Sequence, residues 1–154
     1  MSEPVKIGVV GVGYLGSIHA QIYTRLSDVT LVGVNDLDSD VGKRVAVDCE
    51  CDFYSNVDQL ADSVDAVSVV VPTSCHREVS LPFLSKGIPV LLEKPVAHTL
   101  DDARLIVNEA EQSGAILQIG HLERFNAGVV RLHEELDRPR FIEVHRLSEF
   151  VERA

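Results

Sequence analysis

Between the β-branched run Val5–Val10 (VKIGVV) and the amphipathic stretch Ser17–Leu26 lie Gly11-Val12-Gly13-Tyr14-Leu15-Gly16. Three glycines in six residues, directly after a short apolar strand, commit the chain to a tight turn at that point. The next stretch, with Ile18, Ile22 and Leu26 on one stripe, reads as a helix starting where the strand ends. The same rhythm recurs to the end of the sequence. Strands are predicted at Val29–Val34, Ala66–Val71 (closed by Pro72), Pro89–Glu93, Ala115–Ile119 and Arg140–Phe150. Helical stretches fall near Asp40–Asp48, Asp58–Asp62, Arg77–Lys86, Asp101–Ser113 and Glu123–Leu136. Pro82 is expected to kink or interrupt its helix unless it lies near the first turn. Thr99 and Asp101 offer N-cap chemistry, and Gly114 suits the residue after a helix end. Continuous apolar strands separated by helices imply a parallel sheet covered on both faces, and right-handed crossovers favour the doubly wound α/β fold, here with about six strands.

In that fold the glycine pattern acquires a chemistry. G-x-G-x-x-G between a strand and a helix is the arrangement that binds a dinucleotide. Gly11 permits the turn, Gly13 lets the backbone approach a pyrophosphate, and Gly16 lets the helix pack close to the strand and aim its N-terminus at the phosphates. Asp36 follows the second strand, about 20 residues beyond Gly16, where an acid for the adenosine ribose is expected. A carboxylate there accepts ribose hydroxyls and repels a 2′-phosphate, so NAD is expected as cofactor and NADP less so.

Loops at the carboxyl ends of strands line the ligand crevice of such a sheet. Three further motifs fall there. Pro72-Thr73-Ser74-Cys75-His76 places Thr73, Ser74 and His76 toward the nicotinamide half; equally open is a helix capped by Thr73 or Ser74 with His76 exposed in its first turn, and Cys75 reads as a bystander. Glu93-Lys94-Pro95 ends an apolar strand in a charged pair, which is costly unless it sits at the wet end or points into a site. Lys94 could there polarise a hydroxyl or stabilise an alkoxide, or simply form a surface pair with Glu93, and the bond to Pro95 could be cis. His121, Arg124 and Asn126 of Gly120–Asn126 could face the crevice, or Glu123 and Arg124 could be ordinary first-turn residues. His19, His98, His133 and His145 have no ligand spacing and read as structural or exposed.

Composition removes other classes. With 14 Lys plus Arg against 24 Asp plus Glu, the net charge of −10 disfavours nucleic acid and anionic lipid as partners. Hydrophobic residues are 45% and no run approaches a membrane span. Cys49, Cys51 and Cys75 are too few and too oddly spaced for a disulfide framework or a zinc site, no other metal site is expected, and the polar start is unlike a signal peptide. A cytoplasmic protein is expected.

With these residues assembled, the chain resembles the N-terminal half of the Gfo/Idh/MocA oxidoreductase family, through GVGYLGSIHA (11–20), PTSCHREV (72–79), LLEKPVAHTLDDA (91–103) and QIGHLERFN (118–126). The resemblance implies NAD(P)-linked oxidation or reduction of a sugar, inositol, sugar nucleotide or related polyol. It implies a cofactor set of Gly11, Gly13, Tyr14, Leu15, Gly16, Asp36, Pro72, Thr73, His76, Glu93 and Lys94, with Lys94 as the catalytic residue that orients the reacting hydroxyl. Lys94, His121, Arg124 and Asn126 are the substrate candidates, and HLERFN resembles members acting on nucleotide-linked amino sugars. Family members continue into a second α/β domain that supplies more catalytic residues and usually the oligomer interface. Residues 1–138 are therefore expected to form the dinucleotide-binding domain, and residues 139–154 the crossover strand into a missing domain, inactive as this chain; homo-oligomerisation is left open. Phe141, Ile142, Val144, Leu147 and Phe150 would then form an exposed apolar edge. The alternative is a stand-alone NAD(H)-binding module with a sensing or assembly role and no catalysis.

Overall fold

A computed structural model describes residues 3–145 and 147. The chain divides into two compact units, Met1–His121 and Leu122–Ala154.

In the first unit, strands β1 (Val5–Val10), β2 (Val29–Asn35), β3 (Asp52–Phe53), β4 (Ala66–Val69), β5 (Val90–Leu92) and β6 (Leu117–Ile119) form one all-parallel sheet in the order β3-β2-β1-β4-β5-β6. This is the doubly wound order, whose direction reverses between β1 and β4. The period-two geometry of strands sorts side chains to two cores. Ile7, Val9, Leu31 and Val34 pack with Ala20, Val45 and Ala46, on the face that carries α1 (Tyr14–Tyr23) and α2 (Ser39–Asp48). Val10, Val67, Val69, Val90 and Leu92 pack with Leu60, Phe83, Leu84 and Ile106, on the face that carries α3 (Val57–Ala61), α4 (His76–Leu84) and α5 (Leu100–Ser113). Both faces being covered explains why the strands read as unbroken apolar runs.

Several expectations are corrected. The sixth strand is β3, two residues supplied by Asp52–Phe53, while residues 140–145 and 147 of the expected strand Arg140–Phe150 carry no strand. Residues 146 and 148–150 lie outside the described residues. Phe141, Ile142, Val144 and Leu147 are exposed, but without a strand they make no sheet edge. Helix α1 starts three residues earlier than expected and buries Gly16 and Ala20, whereas Ile22 and Leu26 of the expected stripe are exposed. Close approach of α1 to the glycine turn demands its smallest side chains on the inner face. Pro82 sits inside α4 without ending it, since Ser85 N–H still donates to the Leu81 carbonyl (2.9 Å).

Helix ends follow local chemistry. Thr99 Oγ1 accepts from the Asp102 N–H (3.1 Å) at the start of α5, and Gly114 closes it at φ +73°. Losing that cap in Thr99→Ala should cost about 1 kcal/mol, read as a lower urea midpoint at unchanged slope.

In the second unit the expected helix Glu123–Leu136 is broken. A 3-10 turn spans Leu122–Phe125 and helix α6 runs Ala127–Glu135. Asn126 divides them: its Oδ1 accepts from Gly128 N–H (2.9 Å), an N-cap that fixes the start of α6.

Candidate cofactor cleft

The carboxyl ends of β1, β2 and β4 open onto a cleft of about 570 Å³ at the point where the strand order reverses, a size ordinary for small-molecule sites. Its floor is Val10 and Gly11 from β1, Asn35 and Asp36 from β2, and Val70–Pro72 after β4; Leu37, Asp58, Cys75, Glu78 and Pro82 form its walls.

The glycine turn is shaped by hard constraints. Gly11 has φ +82°, and a Cβ on it would lie 2.6 Å from the Val70 carbonyl oxygen. A Cβ on Gly16 would collide with the Gly11 carbonyl oxygen, so helix and turn are packed backbone to backbone. At Gly13 a Cβ meets nothing within 4 Å: this glycine leaves open space over the helix start. Gly13 is also the N-cap of α1, with no side-chain hydrogen bond to the first turn and no acid within it. Helices α2, α3 and α5 are capped by Asp38, Asn56 and Thr99, and α2 to α5 each carry an acid in the first turn. Among the described residues the leading N–H groups of α1 thus have no side-chain acceptor and face no carboxylate of their own helix, the condition for holding an anion. These residues fit the pyrophosphate of a dinucleotide.

Asp36 locks the turn to the second strand. Its Oδ2 accepts from Val12 N–H (2.7 Å) and its Oδ1 from Asp38 N–H (2.9 Å), while Gly11 N–H donates to the Asn35 carbonyl (2.8 Å). Each carboxylate oxygen keeps a lone pair for a further donor. The described residues that line the cleft include three carboxylates, Asp36, Asp58 and Glu78, and no Lys, Arg or His. Leu37 stands fully exposed beside them.

The remaining candidates are placed variously. Tyr14 and Leu15 are exposed in the first turn of α1. Pro72 lines the cleft and Thr73 begins a 3-10 turn, Thr73–Cys75, without capping the helix that follows; Ser74 does not cap it either. His76 is buried rather than exposed: its Nε2 lies 3.0 Å from the Val71 carbonyl and its Nδ1 3.3 Å from that of Val96, bracing the end of β4 against the segment after β5. Glu93 and Lys94 part company. Glu93 is buried, with Oε2 accepting the Lys94 N–H (3.2 Å) and Oε1 lying 3.7 Å from His19 Nε2. Lys94 is exposed, precedes a cis bond to Pro95, and forms no ion pair or side-chain hydrogen bond among the described residues. His121 shares a largely apolar groove with Pro95, Val96 and Ile119. Arg124 and Asn126 belong to the second unit, where Asn126 also donates to Glu123 Oε2 (2.9 Å).

Sequence reading passed over Cys75, Leu37, Asp58 and Glu78, all of which line the cleft, and His19, which meets Glu93. The polar Ser68 inside the apolar run AVSVVV was a signal for the last of these, because a lone hydroxyl on a buried strand needs a partner. Among the described residues no cluster of three His, Cys, Asp or Glu could hold a metal ion, and no helix is long and apolar enough to cross a membrane.

Residues 5–121 match the family described as oxidoreductase family, NAD-binding Rossmann fold (GFO_IDH_MocA). UDP-N-acetylglucosamine 3-dehydrogenase of Acidithiobacillus ferrooxidans is 35% identical over 97% of this chain and 48% of its own length. Inositol 2-dehydrogenase 1 of Saccharopolyspora erythraea is 34% identical over 86% of this chain and 41% of its own. The crystal structure of GenD2 from gentamicin A biosynthesis in complex with NAD superposes with a TM-score of 0.81 at 30% identity, covering 87% of this chain and 39% of that one. The chain therefore spans about half, or less, of the length of these relatives.

Proposed function

The chain belongs to the Gfo/Idh/MocA oxidoreductase family, with its NAD-binding Rossmann fold, and from that premise we propose that it binds NAD(H) in the cleft between β1, β2 and β4 and presents Lys94 to a sugar, sugar-nucleotide or polyol substrate. The observation that carries the reading is the uncapped start of α1 beside a glycine turn whose Val12 N–H is tied to Asp36. The leading N–H groups of α1 hold the pyrophosphate, and the Asp36 carboxylate accepts the adenosine ribose hydroxyls. A cleft lined by Asp36, Asp58 and Glu78, with no cationic side chain, disfavours a 2′-phosphate, which supports NAD(H) over NADP(H).

The bound cofactor supplies the hydride acceptor or donor. The residues of this chain bind and orient: Tyr14 and Leu15 sit where the dinucleotide crosses the helix start, and the Lys94 ammonium, free of protein partners among the described residues, hydrogen-bonds the reacting oxygen and stabilises negative charge developing on it. His121 is a second substrate contact. We assign no turnover to these 154 residues alone, since no acid–base partner is bonded to Lys94 among those described. The nucleotide-sugar and inositol dehydrogenases named above support the substrate class. The reading extends to a reducing, cytoplasmic setting, supported by three free thiols.

Those thiols test occupancy of the cleft. Burial raises the Cys49 thiol and pushes that of half-buried Cys51 up to about 12, so both should be slow toward a disulfide reagent at pH 8. Cys75 lines the cleft and should react first. NADH and ADP-ribose are expected to slow that reaction severalfold, with Cys75→Ser as the control. Equal rates with and without saturating ligand would count against this placement of the cofactor.

A further inference from the structure

The polar chain behind Lys94 has no role in the reading above. Helix α1 turns His19 toward β4 and the end of β5. His19 Nδ1 lies 2.8 Å from Ser68 Oγ, and Tyr23, one turn further along α1, interacts with the same serine. His19 Nε2 lies 3.7 Å from Glu93 Oε1, with the two side chains 11% and 9% exposed. The other carboxylate oxygen of Glu93 accepts the backbone N–H of Lys94. Glu93 Oε1 is sealed from solvent and has no hydrogen-bond partner among the described residues. Gly120 backs onto it so closely that a Cβ there would stand 2.8 Å from this oxygen. A buried carboxylate oxygen without a donor is costly. Among the described residues the His19 ring faces it, with Nε2 3.7 Å away.

We propose that His19 is a positioning residue: Ser68 donates to His19 Nδ1, and the ring, so held as its Nε2–H tautomer, aims that proton at Glu93 Oε1 and fixes the carboxylate with the Lys94 backbone bonded to it. Burial lowers His19 against the opposing pull of Glu93, which favours the neutral ring this arrangement requires. The consequence is a pre-set Glu93–Lys94 turn at the reacting end of the cofactor, held from the same helix whose N-terminus holds the pyrophosphate.

The inference rests on the proposed cofactor site, and its test separates the two. NADH and ADP-ribose, which lacks nicotinamide, are titrated into the chain and into His19→Gln and His19→Asn. Glutamine reaches the Nε2 position and keeps a donor to Glu93; asparagine mimics Nδ1 and loses it. His19→Asn should weaken NADH about tenfold or more and leave ADP-ribose within about twofold, while His19→Gln restores NADH to within about threefold of the parent. His19→Gln as weak as His19→Asn, or ADP-ribose weakened in step with NADH, would overturn the proposal. Should the parent chain bind neither ligand, the cofactor reading fails on its own, and the ¹⁵N spectrum of the His19 ring at pH 8 decides the inference. A protonated Nε2 whose signal moves in Glu93→Gln is the expected result, and a protonated Nδ1 is the contradicting one.

Discussion

Gly16→Val is expected to destabilise the chain by about 3 kcal/mol or more, at the upper end of what overpacking costs. The reason lies in what a side chain at that position would strike. Its Cβ collides with the Gly11 carbonyl oxygen and sits 2.8 Å from the carbonyl carbon. Neither atom can swing aside, because Gly11 is held at φ +82° with its N–H bonded to the Asn35 carbonyl. Relief requires lifting α1 off the sheet, and Ala20, fully buried one turn along, would lose its contacts with the core. Gly13→Ala is the matched control. Its Cβ enters open space, so the urea midpoint should stay close to the parent value while NADH affinity falls as the methyl group occupies room left for the pyrophosphate. Equilibrium unfolding followed by circular dichroism reads the first effect and NADH titration the second. A Gly16→Val protein as stable as the parent would show that the helix is not seated on the turn as described.

Asp36→Ala should weaken NADH by about ten- to a hundredfold, the 1.5–3 kcal/mol typical of hydrogen bonds to a charged group. Two losses combine. The ribose hydroxyls lose their acceptor, and the Val12 N–H, 2.7 Å from Asp36 Oδ2, loses the bond that ties the glycine turn to β2. NADPH should suffer less, because removing the carboxylate also removes its repulsion of the 2′-phosphate. The ratio of NADH to NADPH affinity is therefore the sharper readout and should fall toward unity. A variant that keeps the parent ratio would mean that the two cofactors are distinguished elsewhere, with Asp58 and Glu78 the remaining cleft carboxylates to test.

The parts of this molecule legible in its sequence are those where local chemistry and global fold coincide. The glycine turn, Asp36 after β2, Thr99 as cap and Gly114 as stop each follow from what one residue permits. Strand β3 was not legible, because two residues carry no period; it exists since Gly33 pairs with Asp52 and Val34 with Phe53. The inner face of α1 was misread because hydrophobicity pointed to Ile22 and Leu26, whereas the constraint was closeness, which selects Gly16 and Ala20. Asn126 reads as a helix interior residue by hydrophobic spacing and as a boundary by capping, and capping prevailed. At the site, sequence reading found the residues at strand ends but not what stood behind or beside them. His76, open in sequence between the crevice and an exposed first turn, is buried against the carbonyls of Val71 and Val96. Glu93 and Lys94, adjacent in sequence, separate into a buried anchor and an exposed ammonium, a division that strand alternation permits but does not announce.

The central claim is that this chain, by itself, holds a dinucleotide at the start of α1. Calorimetric titration of NADH into residues 1–154 tests it most directly. The account predicts saturable binding at one site, displaced by ADP-ribose and weakened in both Asp36→Ala and Gly13→Ala. No saturable binding at millimolar NADH, by a protein whose circular dichroism shows it folded, would contradict it.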